Sequence, residues 1–172
     1  MIAVIALAMP LAMRLPAQGN IPVDDPGIKR AFDAIKSWNN WIIDNQVQLC
    51  EIPAPPFKEQ ARGIEFRKRM IALGYPDTKI DAAGNVIAER PGRGNGPTIM
   101  IAGHLDTVFP EGTGVKVKRT GTRMDGAGIG DDCRGLVVIL SVARALNEAK
   151  IETRGKVILV ADVGEEGPGN LR

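Results

Sequence analysis

Thr98-Ile99-Met100-Ile101-Ala102 runs straight into Gly103-His104-Leu105-Asp106-Thr107. Lys156-Val157-Ile158-Leu159-Val160-Ala161 leads, two residues on, into Gly164-Glu165-Glu166-Gly167. Each apolar run is short and continuous, the pattern of a strand buried on both faces. Between them, Leu136 to Leu146 is apolar nearly all round and follows Asp131, Asp132 and Gly135, which predicts a buried helix. Strand, helix, strand with apolar strands is the grammar of an α/β layered sheet.

Outward from this unit, Asp25-Pro26 reads as an N-cap followed by proline in the first turn. Phe32, Ile35, Trp38, Ile42 and Leu49 then recur near the helical period until Pro53, Pro55 and Pro56 stop the run. The aromatic residues on this helix read as core anchors rather than a ligand box. A second helix is predicted through Phe57, Ala61, Ile64 and Ile71, ending at Gly74 with Pro76 behind it. Asn85 to Glu89 reads as a strand and Gly92 to Gly96 as a turn. Val115, Val117 and Arg119 alternate with lysines, as in a half-exposed strand. There is no internal repeat.

The 172 residues fit one domain or slightly more, and 44% hydrophobic with 24% charged residues supports a real core. A net charge of +2, without a basic block, gives no electrostatic case for nucleic acid. The two cysteines, Cys50 and Cys133, form no CxxC pair, which excludes a disulfide scaffold and a zinc ribbon. A single histidine excludes any site built on several. Residues 1–20 carry an apolar run too short to span a bilayer, and it suits the h-region of a secretory signal with Ala17 as a cleavage position. No basic residue precedes the run, and Leu15 is a poor −3 residue. If it is a signal, the protein is exported, periplasmic or secreted; otherwise it is cytoplasmic. At the other end nothing in Gly167 to Arg172 closes a domain, so residues 21–172 are expected to be the first part of a longer catalytic domain.

Three polar clusters sit at the ends of these elements, where open α/β sheets line their ligand crevice. His104 and Asp106 are two apart, so in extended chain they project to the same side. A carboxylate there can hold one imidazole nitrogen while the other binds a metal. Asp131 and Asp132 offer oxygen ligands, and a carboxylate can bridge two ions. Glu165 and Glu166 are adjacent, so their side chains diverge, one to a metal and the other toward a water as general base. Each cluster alone has a plainer reading: a hydrogen-bonded structural histidine, an N-cap, a solvated loop. The combination, beside the most apolar runs and framed by glycines, favours a hydrolytic metal centre.

At these residues the chain resembles the M20 family of metallopeptidases, the group of peptidase T, carboxypeptidase G2 and acetylornithine deacetylase. The motifs are Gly103-His104-Leu105-Asp106-Thr107-Val108, Gly128-Ile129-Gly130-Asp131-Asp132 and Glu165-Glu166-Gly167, in family order, and the similarity runs from about Asp25 to the last residue. The resemblance implies a zinc-dependent exopeptidase-like fold with a mixed sheet flanked by helices. It implies that His104 binds one metal, that Asp106 orients it, and that Asp131 bridges two zinc ions, with cobalt or manganese as alternatives. Glu165 is then the general base, Glu166 a ligand of the second ion, and the Asp131–Asp132 peptide cis. Val108-Phe109-Pro110 is most similar to the peptidase T and carboxypeptidase G2 branch, which implies a small peptide or N-acyl amino-acid substrate cleaved by metal-activated water. The resemblance leaves a homodimer open for the full-length parent.

Two departures stand out. Cys133 occupies a position where many relatives have lysine. The family's next acidic ligand, its last histidine and its lid domain lie downstream of the Glu-Glu motif, and this chain ends six residues after Glu166. The isolated chain is therefore expected to be inactive. The alternative is a non-catalytic binding or structural fragment that retains the fold. A dinucleotide-binding reading fails, because Gly126 and Gly128 are followed by Asp131 where G-x-G-x-x-G needs glycine.

Overall fold

In the computed structural model, which describes residues 22–167, the Asp25 carboxylate accepts the amides of Gly27 at 2.7 Å and Ile28 at 3.1 Å. Pro26 takes the first helical position, where no amide is needed. The signal reading for residues 1–20 lies outside the described residues. Helix α1 (Pro26–Ser37) stops at Trp38, and α2 (Asn39–Cys50) starts anew beyond it, so the single helical run expected here is two helices. Trp38 leaves helical geometry at ψ 16° and buries its ring against Ala31, Ala145 and Ala149. The Arg144 guanidinium lies over it, 4.0 Å from the ring centre. Trp38 is thus a core anchor, whereas Phe32 of the same expected stripe is 51% exposed.

Helix α3 (Gln60–Ala72) ends where Gly74 adopts φ +94°, a left-handed conformation that glycine takes without steric cost. Its buried face is not the expected one. Arg62, Gly63, Phe66 and Met70 point inward, while Phe57 and Ile64 are each 54% exposed. A charged residue in the middle of the buried face interrupts the apolar period that the sequence reading relied on.

Strands β1 (Lys79–Ile80), β2 (Val86–Arg90), β3 (Ile99–His104) and β6 (Val157–Asp162) form one sheet in the order β1-β2-β6-β3. β4 (Lys118–Thr120) and β5 (Arg123–Asp125) form a separate exposed ladder. It begins later than the strand expected from Val115. β3 and β6 are parallel and joined through helix α4 (Cys133–Glu148), whereas β2 runs antiparallel to β6; the sheet is therefore mixed. Helix α4 supplies Leu136, Ile139 and Leu140 to a core with Leu49, Phe66, Met70, Val86 and Leu159. Each is at most 1% exposed, and burying a side chain of this kind contributes about 1.5–3 kcal/mol.

Two further expectations change. β6 is buried as expected, but β3 is not: Ile99 and Met100 are 54% and 62% exposed, because among the described residues β3 pairs only with β6. The two cysteines, far apart in sequence, form a disulfide. Cys50 at the end of α2 meets Cys133 at the start of α4 with Cα atoms 5.5 Å apart, which suits such a bond.

Candidate metal centre

The register of β3 on β6 sets His104 opposite Asp162, so the residues that follow both strands emerge together at one edge of the sheet. The loop opening α4 meets them there. Within it the Asp131–Asp132 peptide is cis. The two aspartates divide the work. Asp132 Oδ1 accepts the Gly135 amide at 2.7 Å and caps α4, and its Oδ2 accepts the His104 amide at 3.0 Å. Asp131 instead turns outward, and its Oδ1 lies 2.9 Å from His104 Nε2. The plainer N-cap reading therefore describes Asp132, and Asp131 is the aspartate whose carboxylate stays open beside the imidazole.

His104 is 8% exposed, and both its ring nitrogens have partners. Nδ1 donates to the main-chain oxygen of Asp106 at 3.0 Å, and the Asp106 carboxylate stands farther off at 3.6 Å. The carbonyl thus fixes the ring, and the carboxylate has another task. Fully buried, its Oδ1 accepts the amides of Gly164 at 3.1 Å and Glu165 at 3.3 Å, and its Oδ2 that of Glu166 at 2.8 Å. Asp106 is the post to which the Glu165-Glu166 loop is tied. Glu165 Oε2 then lies 3.9 Å from His104 Nε2. All five residues predicted for the site, His104, Asp106, Asp131, Glu165 and Glu166, meet here.

With Nδ1 committed as a donor to a carbonyl, Nε2 faces a carboxylate oxygen. Either Nε2 carries a proton or a cation lies between the two. Burial by itself lowers the imidazole pKa, but the Asp131 hydrogen bond and the negative charges of Asp132 and Asp106 outweigh it, so the net shift is upward. Ligand atoms of His104, Asp131 and Glu166 all lie within 4.8 Å of one another. One imidazole nitrogen and carboxylate oxygens are a donor set that zinc accepts. Two neighbours escaped the sequence reading. Burial pushes the Asp162 carboxyl up. Arg62, on α3, lies buried beneath the site. Neither sits in a motif. A cavity of about 220 Å³ lined by Thr107, Pro53, Ala54, Phe109 and Pro110 among others lies on the chain that follows β3.

Residues 100–172 match the sequence pattern of peptidase family M20/M25/M40. A protein named as a LysW-lysine/LysW-ornithine hydrolase in Pyrococcus abyssi (strain GE5 / Orsay) is 33% identical over 120 residues, which is 70% of this chain and 32% of that protein. The crystal structure of aminopeptidase PepT from Bacillus cereus superposes with a TM-score of 0.63 at 25% identity, covering 73% of this chain and 36% of that one. The dipeptidase Dug1p of Saccharomyces cerevisiae gives a TM-score of 0.69 over 83% of this chain and 36% of its own; at 16% identity it speaks for the fold alone. The chain spans about a third of the length of these relatives.

Proposed function

We propose that this chain belongs to peptidase family M20/M25/M40, whose pattern residues 100–172 match, and that the full-length protein hydrolyses a peptide or N-acyl amino-acid amide bond at a zinc centre held by His104, Asp131 and Glu166. The observation that carries this reading is the convergence of three ligand atoms within 4.8 Å, with the Glu165 carboxylate beside them. The names of the relatives, a LysW-lysine/LysW-ornithine hydrolase and an aminopeptidase, support a substrate that carries an amino acid.

When bound, zinc supplies Lewis acidity that polarises a water and the scissile carbonyl. The chain's own residues do the rest. His104 keeps Nδ1 protonated against the Asp106 carbonyl, which leaves Nε2 as the ligand nitrogen. Asp131, with its side chain 79% exposed, keeps its carboxylate open to solvent beside His104 Nε2, where it would hold the metal. Glu165, whose side chain is 58% exposed, takes the proton of the attacking water on its carboxylate. The new C–O bond forms as the C–N bond breaks, and the proton passes from Glu165 to the leaving nitrogen. Asp106 holds the base and the ligand beside it through their amides. The test is Glu165→Ala in the full-length protein: turnover falls by roughly 10²–10⁴-fold while zinc content stays near that of the unmodified protein. Unchanged turnover removes Glu165 from the mechanism.

The protein is also proposed to be exported. The apolar N-terminal run and the Cys50–Cys133 disulfide support this, since such bonds persist in oxidising compartments. Mass spectrometry of the native protein checks it, and an intact Met1 on cytoplasmic protein ends the idea.

A further inference from the structure

Arg62 is 1% exposed, and among the described residues all four hydrogen bonds of its guanidinium go to main-chain carbonyls, none to a carboxylate. Nε and Nη2 reach Ile52 O at 3.1 and 2.6 Å, Nη2 also reaches Cys50 O at 3.3 Å, and Nη1 reaches Leu105 O at 2.7 Å. Taking a cation this far out of water carries a desolvation penalty that its partners must offset. The Cys50 carbonyl explains part of its retention, because a helix leaves its last carbonyls without intrahelical donors, and the two bonds to Ile52 O tie down the turn just beyond α2. They do not explain the fourth bond. Leu105 is the residue between His104 and Asp106, and it belongs to the site.

The second leg leads to the same place. Cys50, whose carbonyl Arg62 holds, is bonded through sulfur to Cys133, and Cys133 follows Asp131 and Asp132 directly. One planar group thus touches the segment carrying His104 and the segment bonded to the loop carrying Asp131. Lysine has no fork to span three carbonyls, and an apolar side chain has no donor. The charge matters as well. Burial lowers the guanidinium pKa to about 10, against the pull of Asp106, so it remains a cation at neutral pH. It faces a carboxylate that is itself fully buried.

We propose that Arg62 is a positioning residue of the metal centre, whose guanidinium fixes the His104 and Asp131 segments at ligand distance through the Leu105 carbonyl and the Cys50–Cys133 bridge. This rests on the reading that His104, Asp131 and Glu166 hold zinc.

The experiment uses the full-length protein with Arg62→Lys and Arg62→Met, measuring zinc dissociation constants against a chromophoric chelator and melting temperatures of the metal-free forms. Both folded variants should bind zinc at least tenfold more weakly, and Arg62→Lys, which keeps the charge, should not restore affinity. A lower melting temperature with unchanged zinc affinity overturns the proposal, because it leaves Arg62 only a structural part. If Arg62→Met does not fold, Arg62→Lys decides alone. If neither folds, the unmodified protein decides, since coupling between zinc and the guanidinium is reciprocal. Zinc must then slow exchange of the Arg62 Nε proton more than it slows the amides of α1. Equal slowing overturns the proposal. No zinc binding by the unmodified protein overturns the metal-centre reading first, and this inference with it.

Discussion

At the scale of single residues, Asp106 holds the imidazole as expected, but through its main-chain oxygen, and its carboxylate has a second task. Its carboxylate accepts three amides of the Glu165-Glu166 loop, and its carbonyl holds the imidazole. Asp106→Asn keeps the size but turns one acceptor into a donor that faces an amide. Hydrogen bonds to a charged group contribute about 1.5–3 kcal/mol each. Urea denaturation should therefore show a loss of about 2 kcal/mol or more, and unchanged stability would show that the loop is held otherwise. His104 yields a pH prediction. Its folded-state pKa is raised, so in metal-free protein its contribution to stability is complete below the unfolded value of about 6.5 and is lost as pH rises through the folded pKa. Zinc competes with that proton, and zinc affinity should rise over the same window. Calorimetry at a series of pH values checks both, and a flat zinc affinity contradicts the assignment of Nε2 as ligand. His104, Asp131, Glu165 and Glu166 were legible because glycines and apolar strands frame them. Arg62 was not, because a lone arginine in a helix reads as surface, and only the fold shows that it points inward.

At the scale of elements, the β3–α4–β6 unit could be read directly, since continuous apolar runs leave little choice of partner. The helices were less legible. The break at Trp38 is set by tertiary packing of its ring against Ala145 and Ala149, which the helical period does not reveal. The buried face of α3 was misread because Arg62 stands at its centre. The Cys50–Cys133 bond was invisible for a different reason: a separation of 83 residues says nothing about proximity until α2 and α4 are packed together. That separation gives the bond weight. Closing a loop of this length in the unfolded chain stabilises the fold by about 4–5 kcal/mol in the chain-entropy account. Cys50→Ala/Cys133→Ala, or reduction by a dithiol under denaturing exchange, should lower the urea midpoint accordingly. A midpoint that does not move would mean the thiols are not joined.

At the scale of the whole molecule, the described residues supply one imidazole and two carboxylates, four protein–metal bonds if Asp131 bridges, for a centre that in the M20 resemblance holds two ions. A catalytic zinc typically has three protein ligands. By itself the 172-residue chain should therefore bind zinc weakly and show no turnover. The exposed Ile99 and Met100 on β3, an edge strand among the described residues, should also make it self-associate. Equilibrium dialysis with zinc, a hydrolysis screen on peptides and N-acyl amino acids, and light scattering test this together. Two tightly held ions with measurable turnover from this chain would show that its own residues suffice.

The central claim is that His104, Asp131 and Glu166 share a metal. Anomalous diffraction at the zinc edge, from crystals of the full-length protein grown with zinc, tests it most directly. The account predicts a peak bonded to His104 Nε2 and to carboxylate oxygens of Asp131 and Glu166. No peak there at saturating zinc, with Nε2 still hydrogen-bonded to Asp131, would contradict it.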